Sequence, residues 1–171
     1  NRFILDSTIN KVKFDEMSVA LSQLDRVRDT IGEKYPFMVI MDRGYPSIPA
    51  FLHMIDLKLL FVVRLKSSDF KAEQKTLGSN DEDVLIELTK PRRKNYIGTE
   101  KEAIMMSRDS FPLRMVTVTL EDEKSEVLAT NLPRDLFPQE CFQEMYHMRW
   151  QIETAYQTLK DRLQMENFTG I

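Results

Sequence analysis

The sequence has a single cysteine, Cys141, so no disulfide framework can form within it, and a reducing compartment is expected. A half-buried place on a helix is the expected role of that cysteine. There are two histidines, His53 and His147, far apart along the chain, so no zinc-type cluster can be read from spacing. No apolar run approaches the roughly 18 residues that a membrane helix needs, and no membrane partner is expected. Cationic excess is missing too. The 24 Lys and Arg against 27 Asp and Glu give a net charge of -3, which argues against nucleic-acid binding driven by overall charge alone. The first residue is Asn and no signal peptide precedes it, so a piece of a longer protein is expected.

What is present is an ordinary globular composition, 42% hydrophobic and 30% charged. With 171 residues the chain can bury the core of one domain, with room for an insertion. "RFILDSTI", Arg2 to Ile9, alternates as a strand does. Asp15 can cap a helix to about Ile31, with Met17, Ala20, Leu21, Leu24, Val27 and Ile31 on its apolar face and Gly32 as its stop. "FMVIM", Phe37 to Met41, is a continuous apolar run, which predicts a central strand buried on both faces. "RGYPSIPAF" turns, and Ser47 can cap a short helix to about Asp56. "LLFVVRL", Leu59 to Leu65, is a second buried-type strand. From Ser67 the chain becomes polar and turn-rich, then gives strand-like runs at Val84–Thr89, Met115–Leu120 and Val127–Leu132. These predict a small antiparallel unit inserted before a long closing helix, about Gln139 to Gln164. The ten methionines read as core filling.

That closing helix carries an unusual edge. Tyr146, Arg149, Glu153 and Lys160 stand at offsets of three, seven and fourteen residues. At about 100° per residue they fall within a stripe about 60° wide that runs roughly 21 Å. Met145, Met148, Ile152, Ala155, Tyr156, Leu159 and Leu163 form the core-facing stripe beside it. A phenol, two cations and a carboxylate thus share the border between core and water, where packing can hold a side chain that still reaches a ligand.

Two carboxylates stand where chemistry would choose them. Asp42 ends a predicted central strand of an α/β sheet, where ligands gather, although Asp-Arg-Gly-Tyr-Pro also fits a β-turn. Glu153 lies on the border stripe. Two carboxylates brought to one point can hold divalent metals, which clamp the attacking and leaving oxygens of a phosphodiester displacement. The segment "KPRRKNY", Lys90 to Tyr96, packs four cations and an aromatic into seven residues. It reads either as a solvated loop or as a contact to a phosphate backbone.

The pattern Y-x-x-R-x-x-x-E-x-x-x-x-x-x-K, matched by Tyr146, Arg149, Glu153 and Lys160, resembles the C-terminal signature of the DDE transposases of the insertion-sequence-four family. "DRGY", Asp42 to Tyr45, resembles the block around that family's second catalytic aspartate. "FILDSTINKVKFDE", "FVVRL", "ATNLP" and "ENFTG" are similar to the family as well. The resemblance implies an α/β, ribonuclease-H-like mixed sheet with flanking helices, interrupted by a mostly β insertion. Its core would span residues 1–66 and 133–171, and its insertion residues 67–132. It implies Mg²⁺-dependent hydrolysis of DNA at transposon ends, with Mn²⁺ as a substitute, then strand transfer to target DNA by a homodimer in the bacterial cytoplasm, beside the nucleoid. Asp42 and Glu153 would be metal-binding catalytic residues. Tyr146, Arg149 and Lys160 would contact DNA phosphates, and Arg92, Arg93 and Lys94 of the insertion would touch the backbone. The family's first aspartate has no matching block here; Asp6, Asp15, Asp25 and Asp29 are the upstream candidates. Its strand is expected to lie outside this chain, which would leave the chain alone inactive. A base-stacking aromatic in the insertion would have to be Phe70, Tyr96 or Phe111.

Overall fold

In the computed structural model, residues 5, 6, 8, 15–32, 35–119 and 125–148 are described. Helix α1 (Glu16–Ile31) starts at Asp15, whose Oδ1 accepts from the Met17 amide at 3.1 Å. It stops at Gly32, whose φ of 71° suits a residue without a Cβ. Strand β1 (Met38–Met41) follows, then α2 (Ile48–Asp56), capped by Ser47 Oγ accepting from the Ala50 amide. Then come β2 (Leu60–Arg64), α3 (Lys71–Lys75), β3 (Asp81–Glu87), α4 (Lys90–Lys94), α5 (Glu102–Met106), β4 (Ser110–Thr119), β5 (Ser125–Thr130) and α6 (Cys141–His147). No described helix is long and apolar enough to cross a membrane.

The strands form one mixed sheet in the order β1-β2-β5-β4-β3. β1 and β2 run parallel, and the other pairings are antiparallel. The α/β class with a mixed sheet and flanking helices agrees with the expected ribonuclease-H-like architecture. The three strands expected in the insertion are continuous with β1 and β2, because β5 pairs directly with β2.

Alternation along the strands decides everything that follows. Phe61 and Val63 of β2, Phe111, Leu113 and Met115 of β4, and Ala129 of β5 join the core under α2 and α5, with Phe51, Met54 and Met105. Val62, Val116, Val118 and Leu128 point the other way, to Phe142, Met145 and Tyr146 of α6. Phe51 and Phe61 are fully buried with ring centroids 5.4 Å apart. Burying a side chain of that size stabilises by about 1.5–3 kcal/mol.

"ATNLP" acquires a physical reading. Thr130 Oγ1 donates to the Phe61 carbonyl at 2.6 Å. Asn131 accepts from the Phe61 amide at 2.9 Å and donates to the Leu59 carbonyl at 2.7 Å. Two side chains thereby extend the β2–β5 ladder past the end of β5.

Four expectations need correction. "FMVIM" is not a central strand among the described residues: β1 has a strand on one side only, and Val39 is its buried residue while the rest are half-buried. The wheel placed Tyr146 at the core–water border, yet it is 1% exposed, because α6 packs Tyr146 with Phe142 and Met145 against the sheet. Met148, assigned to the core stripe, is 46% exposed beyond the last turn of α6. Phe111 is fully packed into the core, which removes it as a base-stacking aromatic, whereas Phe70 and Tyr96 lie part-buried at the core's margin. Residues 2–4, 7 and 9 of the expected first strand, and all of the expected closing helix after Met148, lie outside the described residues.

Candidate active site at the ends of the parallel strands

The site follows from register. Met41 pairs with Val63, so the next residues, Asp42 and Arg64, come side by side at the carboxyl ends of two parallel strands. Arg64 pairs with Leu128, which sets Glu126 two residues along β5 on the same face. That face is the one covered by α6, so strand alternation and the α6 packing together deliver Asp42, Arg64, Glu126 and Tyr146 to one place.

Asp42 has both expected characters. Its carbonyl accepts from the Tyr45 amide at 3.1 Å, closing a turn through the exposed Arg43 and Gly44. Its carboxylate, 38% exposed, receives a hydrogen bond from the Tyr146 hydroxyl at 3.2 Å across 104 positions of sequence. Arg64 Nη1 lies 3.8 Å from the same oxygen, Oδ1. The guanidinium also sits 5.9 Å from the centroid of the Tyr146 ring.

Arg64 is held from its other side. Its Nε donates to Glu126 Oε2 at 3.0 Å and its Nη2 to Glu126 Oε1. This fork, aided by the Tyr146 phenol, raises the Arg64 guanidinium above its ordinary value, against burial, which lowers it. Arg64 is a fixed cation. Beside the turn, the Tyr45 hydroxyl donates to Glu16 Oε1 of α1. Burial pushes the Tyr45 phenol up to about 12, and the hydrogen bond to Glu16 and the charges of Glu16 and Asp42 add to the shift. Tyr45 therefore stays protonated and ties α1 to the Asp42 turn.

The predicted residues divide into three sets. Asp42 and Tyr146 meet. Arg149, Glu153 and Lys160 lie outside the described residues. Arg92, Arg93 and Lys94 sit on α4, which follows β3 at the opposite edge of the sheet from β1. There Arg92 donates to the Glu87 carbonyl and pairs with Glu73 at 2.6 Å, and Arg93 donates to the Arg108 carbonyl and pairs with Asp109 at 2.9 Å. Lys94 is exposed. Of the upstream aspartates, Asp6 pairs with Arg26, Asp15 caps α1 and Asp25 meets His53 at 2.8 Å.

Arg64 and Glu126 were not anticipated. "FVVRL" held the one available signal, a cation closing an apolar strand next to the aspartate strand. Nothing local marks Glu126, whose place depends on the β2–β5 pairing.

Chemically, Asp42 offers hard oxygen of the kind divalent cations take. Its exposure and the distance at which Arg64 is held suit that role. Among the described residues no group of three or more His, Cys, Asp and Glu stands together to hold a metal ion. The family described as the transposase DDE domain matches residues 3–170, nearly the whole chain. No curated protein matches it. The chain belongs to the transposase DDE domain family.

Proposed function

We propose, from membership of the transposase DDE domain family, that this chain is the catalytic core of a DNA transposase of the insertion-sequence-four type. The observation that carries the reading is the Tyr146–Asp42 hydrogen bond, which joins the helix signature to the aspartate block. In this reading Asp42 and Glu153 hold Mg²⁺, or Mn²⁺ in its place. When bound, the metal stabilises charge on the attacking and leaving oxygens of the phosphodiester. Arg149 grips a phosphate with its fork, and Lys160 acts as a point charge on the backbone. Tyr146, buried, donates its hydroxyl to Asp42 and so orients the carboxylate, a role that replaces the expected phosphate contact.

The first aspartate of the triad comes, in this reading, from a strand that adds to the side of β1 where no described strand lies. An apolar strand of this kind suits a neighbour on each side. Residues 67–132 are the insertion that lies along the DNA, with Arg92, Arg93 and Lys94 near the backbone. The active species is a homodimer on two transposon ends, working at the bacterial nucleoid.

The test uses the complete protein on end-sequence DNA with Mg²⁺. Asp42→Asn and Glu153→Gln should each lower cleavage at least about a hundredfold, the scale of losing one charge-stabilising group, with DNA binding retained. Cleavage at the wild-type rate by either variant refutes the reading. A wild type that binds but never cuts is a decayed binding module, and cutting without any joined product is a nuclease.

A further inference from the structure

Glu126 plays no part in the reading above, yet it decides how Asp42 is surrounded. Its side chain is 18% exposed and that of Arg64 14%, so the pair is well shielded. Both Glu126 oxygens are engaged by Nε and Nη2, the side-on edge of the guanidinium. Nη1 remains on the Asp42 side, 3.8 Å from Oδ1. That is beyond the roughly 3.2 Å reach of an N–H···O hydrogen bond. Guanidinium and carboxylate are shaped to close on each other through two parallel hydrogen bonds. Here the closure is onto Glu126, and Asp42 receives one nitrogen at arm's length. Tyr146 keeps the spacing from below, with its ring near the guanidinium and its hydroxyl on Asp42.

We infer that Glu126 is a positioning residue: by clamping Arg64 it prevents the guanidinium from closing on Asp42, and so keeps Asp42 able to ligate a divalent cation. The inference rests on the reading of Asp42 as a metal ligand. Without the Glu126 fork, Arg64 is a part-buried cation whose remaining carboxylate neighbour among the described residues is Asp42, and it pairs with Asp42 in competition with the metal. A purely structural Glu126–Arg64 bridge would affect folding and leave metal affinity alone.

The test measures Mn²⁺ binding to the complete protein through the paramagnetic resonance of the free ion. Glu126→Gln should weaken binding about 10–100-fold, the range for residues that orient metal ligands. Adding Arg64→Met to it removes the competing cation and should restore binding toward wild type. Unchanged binding in Glu126→Gln, or no recovery in the double variant, overturns the inference. Asp42→Asn separates the two layers: if it binds Mn²⁺ like wild type, the metal-ligand reading fails. If Asp42→Asn weakens binding and Glu126→Gln does not, only the positioning role fails. Should circular dichroism show Glu126→Gln unfolded, Glu126→Asp keeps the charge and draws the fork back. It should weaken binding in the same direction, and unchanged affinity again refutes the role.

Discussion

Helix α6 lays two rings against two arginines of the sheet. Phe142 lies 4.9 Å from the guanidinium of Arg114 on β4, and Tyr146, one turn on, lies 5.9 Å from that of Arg64 on β2. Both arginines are forked by a carboxylate, Asp81 in one case and Glu126 in the other. They differ in what remains. Arg114 is 4% exposed, and its Nη1 donates to the Leu132 and Phe137 carbonyls, so its contacts tie β3, β4 and the loop before α6 together. Arg64 keeps Nη1 turned toward a half-exposed aspartate. The same chemical pair is a closed fastening in one place and stands beside the part-exposed Asp42 in the other. A buried cation whose three nitrogens all bond to the protein serves the fold, whereas one that reaches a part-exposed carboxylate stands at the solvent boundary.

The comparison is broken most directly at Arg114. Arg114→Ala leaves Asp81 without its main partner and two carbonyls without a donor. It should cost about 3–5 kcal/mol, the range for breaking a buried pair from one side. The melting temperature should fall about 2–4 °C for each kcal/mol. Arg134→Ala, which removes the exposed second partner of Asp81, should leave the melting temperature near wild type. Equal falls in the two variants would contradict the closed-fastening reading.

A smaller effect is expected from pH. The Arg114 hydrogen bonds, with help from Arg134, hold the Asp81 carboxyl below the usual carboxylate range, against burial. A depressed folded-state value contributes stability that is complete above the unfolded value of about 3.9 and is lost as pH falls through the lower folded value. Denaturant melts from pH 6 downward should therefore show a loss of stability starting near about pH 4. Asp81→Asn should flatten that loss, and an unaltered profile would remove Asp81 as its source.

The smallest effect concerns α4, the other cationic region. Arg92 and Arg93 already pair within the protein, while Lys94 is exposed. If the segment lies along DNA, Lys94→Ala should flatten log K against log salt by up to about 0.9. Arg92→Ala and Arg93→Ala should change the slope less. A slope unaltered in all three returns α4 to a solvated face.

Much of this could be read from sequence, because the signals were local. Asp15, Gly32 and Ser47 mark helix ends by their own chemistry, and they serve as caps and stop where expected. Asp42 and Tyr146 were chosen from a strand end and a helix stripe, and they meet. Arg64 and Glu126 were not legible, because neither residue's neighbourhood is set by its own segment. Their meeting requires β2 to pair with β5, and Arg64 and Glu126 are 62 positions apart, with β3 and β4 between them. Arg92 and Arg93 looked available for the same reason: their partners, Glu73 and Asp109, come from other elements. The buried position of Tyr146 depends on how α6 lies on the sheet, which a helix wheel does not contain.

The side-chain ladder of Thr130 and Asn131 has a consequence in time. The Asn131 bond to the Phe61 amide joins residues 70 positions apart. Closing a loop of that length costs on the order of 4 kcal/mol in chain entropy before any contact returns it. Pairings of this kind slow folding relative to local ones. Until that seam closes, Glu126 is nowhere near Arg64, and the aspartate turn stands beside an unclamped cation. The site is therefore complete only when two distant stretches of chain have found the same register.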